Sequence, residues 1–200
     1  MPGAKNRKQR QADARGRILK TAVHLFQAQG YSTTGINQII AESEASKASF
    51  YYYYSSKEDL GREYLATLST EQMGFFRDLM RRYPAPPEFV RAWVKFMQRQ
   101  ARGGNFFGCH MANFRAQLGE EERSLEEDLR GLARQTITVL TEYLTEAREA
   151  GRIAGGLEPT SAARRLFAAY EGVIQVWMLT GDVKAMDDLV VLADGIWGGR

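Results

Sequence analysis

Residues 33–60, TTGINQIIAESEASKASFYYYYSSKEDL, hold two short helical patterns with a tight break between them. Ile36, Ile39 and Ile40 recur on one helical face, and Thr34 stands where an N-cap would. Ser43-Glu44-Ala45 supplies the break, and Ser46 is placed to cap a second helix running to about Tyr52. Two helices joined this tightly can lay the first across a DNA backbone and present the start of the second to base edges. That start reads Ser46, Lys47, Ala48, Ser49. Hydroxyls bond phosphates or bases, lysine meets phosphate or guanine, and alanine lets the backbone come close. Thr34 and the amides after it, and those after Ser56, offer helix N-termini to phosphate.

The aromatic run Phe50-Tyr51-Tyr52-Tyr53-Tyr54 cannot point one way on a helix. Phe50 and either Tyr53 or Tyr54 are expected in a core, which leaves Tyr51 and Tyr52 to reach DNA. Lys57 and the tail residues Lys5, Arg7, Lys8 and Arg10 add positive charge along the same partner. Charge is unevenly placed in the chain as a whole. Residues 1–60 carry nine Lys/Arg against five Asp/Glu, whereas the remainder is close to neutral, for a net charge of +3. A basic head on a neutral body points to a polyanion for the head alone.

Working outward, helical spacing recurs and strand alternation is nearly absent, so the fold class is all-α. Ile18, Ala22, Leu25 and Phe26 mark a first helix from about Asp13 to Gln29, stopped by Gly30. Ser56 with Asp59 resembles a capping box that opens a long fourth helix, halted by Tyr83-Pro84-Ala85-Pro86-Pro87. Further helices are expected near 87–102, 109–118, 122–150, 160–180 and 184–197. The outline is a three-helix head with its N-terminal arm (1–54) and a helical body (55–200). An apolar share of 44% is ample for the core this needs.

The sequence argues against other classes. One cysteine and two histidines give no nucleophile–base–acid set, and no Gly-rich phosphate loop or metal motif is present. The expectation is no enzyme, no cofactor and no metal. Runs such as Glu120-Glu121-Glu122 read as solvated helix faces. Cys109 stands alone, which suits a reducing compartment, and neither a secretory leader nor a bilayer-spanning stretch is visible. A cytoplasmic protein without membrane contact is expected.

With these residues in view, the segment resembles the DNA-binding head of the TetR family of transcriptional repressors. Thr34, Ile36 and Ile39 match the family's second helix. Ser46, Lys47, Ala48, Ser49, Phe50, Tyr51 and Tyr53 match its recognition helix, and Ser56, Lys57, Glu58 and Leu60 match the opening of its fourth. Two places depart. Ser43-Glu44-Ala45 stands where Ala-Gly-Val is usual, and Tyr54 where Phe is usual. The first replaces a turn glycine by an acid, at a cost if that position needs positive φ.

The resemblance implies a body that binds a small-molecule effector and dimerises through its last two helices. The residues allow the same reading, because two terminal helices apolar over more than one face call for a partner. Leu166, Tyr170, Val173, Leu189, Leu192, Ala193 and Ile196 are the expected homodimer contacts, and a dimer presents two recognition helices to a palindromic operator. Trp93, Phe96, Met97, Phe107, Cys109, His110, Phe114, Tyr143, Tyr170 and Trp177 are the candidate pocket, suited to an apolar, aromatic or electrophilic effector. Phe107-Gly108-Cys109-His110 is similar to a Gly-Cys segment of some TetR-type regulators, certain of which sense electrophiles or oxidants. Cys109 is therefore read either as such a sensor, its thiolate favoured at a helix N-terminus and assisted by a charged His110, or as a small buried residue. The expected function is a ligand-responsive repressor. The alternatives are an activator or architectural DNA binder without effector, and, more remotely, a helical carrier or enzyme.

Overall fold

Helix-forming segments end where glycine, proline or a capping side chain stops them, and the computed structural model follows that punctuation. It describes residues 3–119 and 122–198, with side chains from Ala14 onward. The α-helices run α1 Gly3–Ala28, α2 Ile36–Glu42, α3 Lys47–Tyr53, α4 Lys57–Arg82, α5 Pro86–Arg102, α6 His110–Arg115, α7 Arg123–Glu149, α8 Pro159–Thr180 and α9 Asp188–Trp197. A 3-10 helix, Val183–Asp187, precedes α9. None of the described helices is long and apolar enough to cross a membrane.

Three helices differ from expectation, of which α6 is only six residues long and stops at Arg115, short of the expected 118. α1 begins ten residues before Asp13, because the polar stretch ahead of it is rich in Ala, Lys, Arg and Gln, which favour helix without any apolar period. The last helix does not begin at 184. Asp182 caps the 3-10 turn by accepting from Lys184 N at 2.9 Å, and Gln98 of α5 donates to the Asp187 carboxylate at 2.8 Å, holding the turn separate from α9.

The chain forms two compact units. The first comprises Met1–Ser69 with His110–Arg130, the second Thr70–Cys109 with Gly131–Arg200. The unit holding the head thus extends past residue 54 and recruits a segment distant in sequence. Its core contains Ile18, Ala22, Phe26, Tyr31, Ile39, Phe50, Leu60, Tyr64, Phe114 and Leu125, all buried. Gly61 sits in the second turn of α4 for a steric reason: a Cβ would lie 2.9 Å from the Tyr31 ring and 3.4 Å from Phe114.

The second unit packs α8 and α9 together and sets α5 against α9. α8 starts cleanly, with Glu158 accepting from Thr160 N and Ser161 N ahead of Pro159, and ends on Gly181 at φ 72°. Of the seven residues expected at a dimer interface, Leu166, Tyr170, Val173, Leu189, Ala193 and Ile196 are instead interior residues of this unit, and only Leu192 is exposed. The apolar faces to which they belong are satisfied within the chain. The unpartnered apolar surface is formed by their neighbours Val176, Met178, Leu179, Val191 and Leu192, with Leu179 85% and Val191 70% exposed.

Candidate nucleic-acid interface

The break between α2 and α3 is a Schellman turn. Ala45 N donates to Ile40 O at 3.2 Å and Glu44 N to Ala41 O at 3.3 Å, closing the last carbonyls of α2. Glu44 takes φ 52°, the left-handed region, and no other described non-glycine residue has positive φ. The position therefore is one where glycine fits without strain, and glutamate costs about 1 kcal/mol there. Arg17 of α1 holds the turn from behind, its Nε donating to Ser43 O at 3.0 Å.

Ser46 caps α3 as expected. It has extended backbone, and its Oγ accepts from Ser49 N at 3.0 Å and pairs with Ser49 Oγ at 2.8 Å. Such a cap contributes about 1 kcal/mol. Lys47 and Ala48 are exposed at the helix start and Ser49 is half-buried. The aromatic run divides by direction as the helical period requires. Phe50 is 0% exposed and Tyr54 is buried, whereas Tyr51 is half in solvent and Tyr52 is 72% exposed. One face of α3 is thus anchored in the head, and the other presents Lys47, Ala48, Tyr51 and Tyr52.

Thr34 is placed differently from the expectation of a helix cap. The N-cap of α2 is Gly35, and Thr34 is 1% exposed. Its hydroxyl donates to Gly30 O at 2.7 Å and accepts from Gln29 Nε2 at 3.2 Å, while its amide donates to Tyr31 O at 3.2 Å. Threonine readily makes such local bonds to a preceding turn, and here they take the side chain away from phosphate. Lys57 is half-buried, its ammonium 4.3 Å from the Tyr31 ring centroid and its Nζ donating to Ser32 O at 3.5 Å. Burial lowers its pKa, with Glu122 opposing. Its charge is partly spent inside the head. Ser56 Oγ accepts from Asp59 N at 3.1 Å, but Asp59 reaches back to the amide and hydroxyl of Ser55 and not to Ser56. The side chains of Lys5, Arg7, Lys8 and Arg10 lie outside the described residues.

The expected pocket residues fall into separate groups. In the second unit Trp93 stacks on Tyr170 at 4.7 Å and meets Phe76 edge-on at 5.0 Å. Phe89 lies 5.8 Å from Trp93 and links the group to Tyr143, at 5.2 Å. The Tyr143 hydroxyl donates to Tyr83 O at 2.7 Å. Phe96 pairs instead with Phe75, and Trp177 with Phe106. Met97 is buried and Phe107 is exposed. Phe89 and Phe76 carry no sequence signal for membership of this cluster, because their spacing is that of any core helix.

Phe114 and His110 belong to the other unit, where Phe114 packs on Tyr31 at 4.6 Å and stacks on Tyr64 at 5.5 Å. Burial pushes the His110 imidazole down to about 4, so it is neutral near pH 7 and not the charged helper expected for Cys109. The Cys109 thiol is 2% exposed and hydrogen-bonded to both Tyr170 and Glu171. Burial raises the Glu171 carboxyl, with the thiol contact opposing. Among the described residues no group of three His, Cys, Asp or Glu is arranged to hold a metal ion.

Comparison with known proteins places this geometry. Residues 18–64 match the family described as bacterial regulatory proteins, tetR family, and residues 87–191 match the tetracyclin repressor-like C-terminal domain. The HTH-type transcriptional regulator LmrA of Bacillus subtilis is 39% identical over 93 residues, 44% of this chain and 47% of that protein, so the match spans about half its length. The HTH-type transcriptional repressor NemR of Escherichia coli K12 is 28% identical over 175 residues, 80% of this chain and 81% of NemR. Its reduced form in the crystal superposes with a TM-score of 0.80 at 23% identity, covering 92% of this chain and 97% of that one. The Bacillus subtilis regulator FadR, solved with stearoyl-CoA, has a TM-score of 0.72 at 16% identity, covering 92% and 98%.

Proposed function

Since this chain belongs to the tetR family of bacterial regulatory proteins, matched in its head and across most of its body, we propose that it is a ligand-responsive repressor that holds a palindromic operator as a homodimer. The observation that carries the reading is the division of α3. Phe50 and Tyr54 fix the helix in the head, and Lys47, Ala48, Tyr51 and Tyr52 face outward from a serine-capped start. In this reading Lys47 meets phosphate or guanine, the hydroxyls of Ser46 and Ser49 bond the backbone or a base edge, and the two tyrosines bracket them. Lys5, Arg7, Lys8 and Arg10 add phosphate contacts. Two copies place their recognition helices about 34 Å apart or a multiple of it, and the bare surface of Val176, Leu179, Val191 and Leu192 is what joins them.

The body supplies the switch. An effector shifts the head's DNA-competent state only by its differential affinity for two body conformations, typically about 1–3 kcal/mol. The aromatic cluster around Trp93 and Tyr170 suits an apolar or aromatic compound, and FadR, of similar fold, is seen with the acyl ligand stearoyl-CoA. The chain is read as a cytoplasmic regulator and not an enzyme. Cys109, interior and hydrogen-bonded, acts here as a packing residue. Intact mass after mild N-ethylmaleimide tests this: rapid modification of the native protein restores the sensor reading.

The direct test is fluorescence anisotropy with duplex from upstream of the chain's own gene, against random duplex, at physiological salt. A homodimer that prefers its own upstream sequence, and releases it on adding a compound found by thermal shift among aromatics, quinones, aldehydes and acyl-CoAs, meets the proposal. Preference without release by any compound returns the activator or architectural reading. Equal binding to both duplexes rejects sequence-specific control.

A further inference from the structure

The loop entering α2 carries an amide that the helix-turn-helix does not satisfy from its own residues. Tyr31 N donates to Oε1 of Gln117 at 2.5 Å, across 86 residues of sequence. Gln117 lies in the turn after α6, where its own amide donates to Phe114 O at 3.0 Å. The approach is possible because residue 30 is glycine. Gly30 takes φ 98°, and a Cβ there would stand 2.5 Å from the same Oε1. The Tyr31 ring is fixed alongside, between Phe26 at 5.1 Å and Phe114 at 4.6 Å.

What this amide anchors is the start of α2. Within the loop, Thr34 N donates to Tyr31 O, and Thr34 Oγ1 donates to Gly30 O. Moving residue 31 therefore moves residue 34 and the helix that begins just after it. α2 ends in the Schellman turn that aims α3, so the registration of the outward face passes through this loop. All the residues concerned lie in one compact unit.

We propose that Gln117 is a positioning residue for DNA binding, its side-chain carbonyl setting the Gly30–Thr34 loop and through it the attitude of α2 and α3. It touches no DNA, and the proposal rests on the reading of α3 as a recognition helix. A buried N–H stripped of its acceptor loses its hydrogen bond and drifts toward water. The loss is thus felt at a loop distant from the residue changed.

The experiment pairs operator titrations with site-resolved amide exchange on the full-length chain. Gln117→Met keeps the length and removes the strong acceptor. Gln117→Glu keeps two oxygens that can accept. The expected result is that Gln117→Met speeds exchange at Tyr31 but not at Phe50 and raises the operator Kd roughly threefold to tenfold. Gln117→Glu restores Tyr31 protection and returns Kd to within about twofold of the parent at a salt concentration that screens its added charge. A general loss of packing would accelerate exchange at both sites, leave Gln117→Glu unable to rescue, and overturn the proposal. So would a Gln117→Met protein that binds operator like the parent. A parent chain that binds no duplex at all overturns the recognition-helix reading itself and this one with it, a result distinct from failure of the variant alone.

Discussion

The Arg17 guanidinium donates to the Ser43 carbonyl at 3.0 Å, joining α1 to the turn that aims α3. A half-buried charged donor on a backbone carbonyl is worth about 1.5–3 kcal/mol. Arg17→Met, which keeps the aliphatic stem, is expected to lower unfolding stability by about 1–2 kcal/mol and to weaken operator binding, although Arg17 is no part of the outward face of α3. Urea denaturation followed by circular dichroism gives the first number and anisotropy the second. Unaltered values in both would show that the turn holds itself.

Glu44 occupies left-handed backbone. Glu44→Gly relieves that strain, and after the greater entropy of glycine in the unfolded chain is subtracted a gain of at most about 0.5 kcal/mol remains. The variant also removes an acid from the face offered to a polyanion, so its operator affinity should rise at low salt. A shift of the urea midpoint to lower concentration would contradict the strain.

Phe50 and Tyr52 are two residues apart and have opposite exposures. Phe50→Ala should cost about 3–5 kcal/mol of stability. Tyr52→Ala should change stability by less than about 0.5 kcal/mol while weakening operator binding. Tyr51→Ala and Lys47→Ala are expected to behave like Tyr52→Ala and to leave the oligomeric state untouched. Operator mobility shifts indistinguishable from the parent for all three surface variants would remove these residues from the interface.

His110 sets a pH dependence. An unfolded histidine titrates near 6.5, whereas burial holds this one at about 4, its Nε2 without a protein partner among the described residues. Between those values the unfolded chain carries the extra proton. Stability is therefore full above about pH 6.5, declines as pH falls toward 4, and has lost at most about 3 kcal/mol there. Asp59, held below its usual range first by the Ser55 hydroxyl, adds a further loss at lower pH. His110→Gln should flatten the limb of the stability curve between about pH 4 and 6.5, read from thermal melts at stepped pH.

Leu179 and Val191 are largely exposed apolar residues on α8 and α9. Leu179→Asp with Val191→Asp should convert a dimer to monomer at micromolar concentration in light scattering, with little change in melting of the monomeric chain. A dimer that survives both places the interface elsewhere.

The helix-turn-helix is legible in the sequence because its signals are local. Ser46 caps within its own turn, the isoleucines of α2 repeat at helical spacing, and the five aromatics sort by direction alone. Thr34 misleads for the same local reason: a threonine ahead of a helix has the composition of a cap, and only the fold of Gly30–Tyr31 turns its hydroxyl inward. The body is legible as helices but not as faces. Leu166, Leu189 and Ile196 could equally meet a second chain or their own, and the packing of α5, α8 and α9 decides for the interior. Gln117 leaves no trace at all, since its partner is a backbone amide that any residue at position 31 but proline would provide.

Phe114, Leu125 and Gln117 complete the core and loop of a unit in which the residues proposed to face DNA on α3 all precede Tyr54. Severing the polypeptide after Ser69 would strip Tyr31, Gly61 and Tyr64 of the side chains that cover them. The head is therefore no interchangeable cassette: a chimera grafting it onto a foreign regulator must bring residues 110–130 along, or rebuild their contacts from the host.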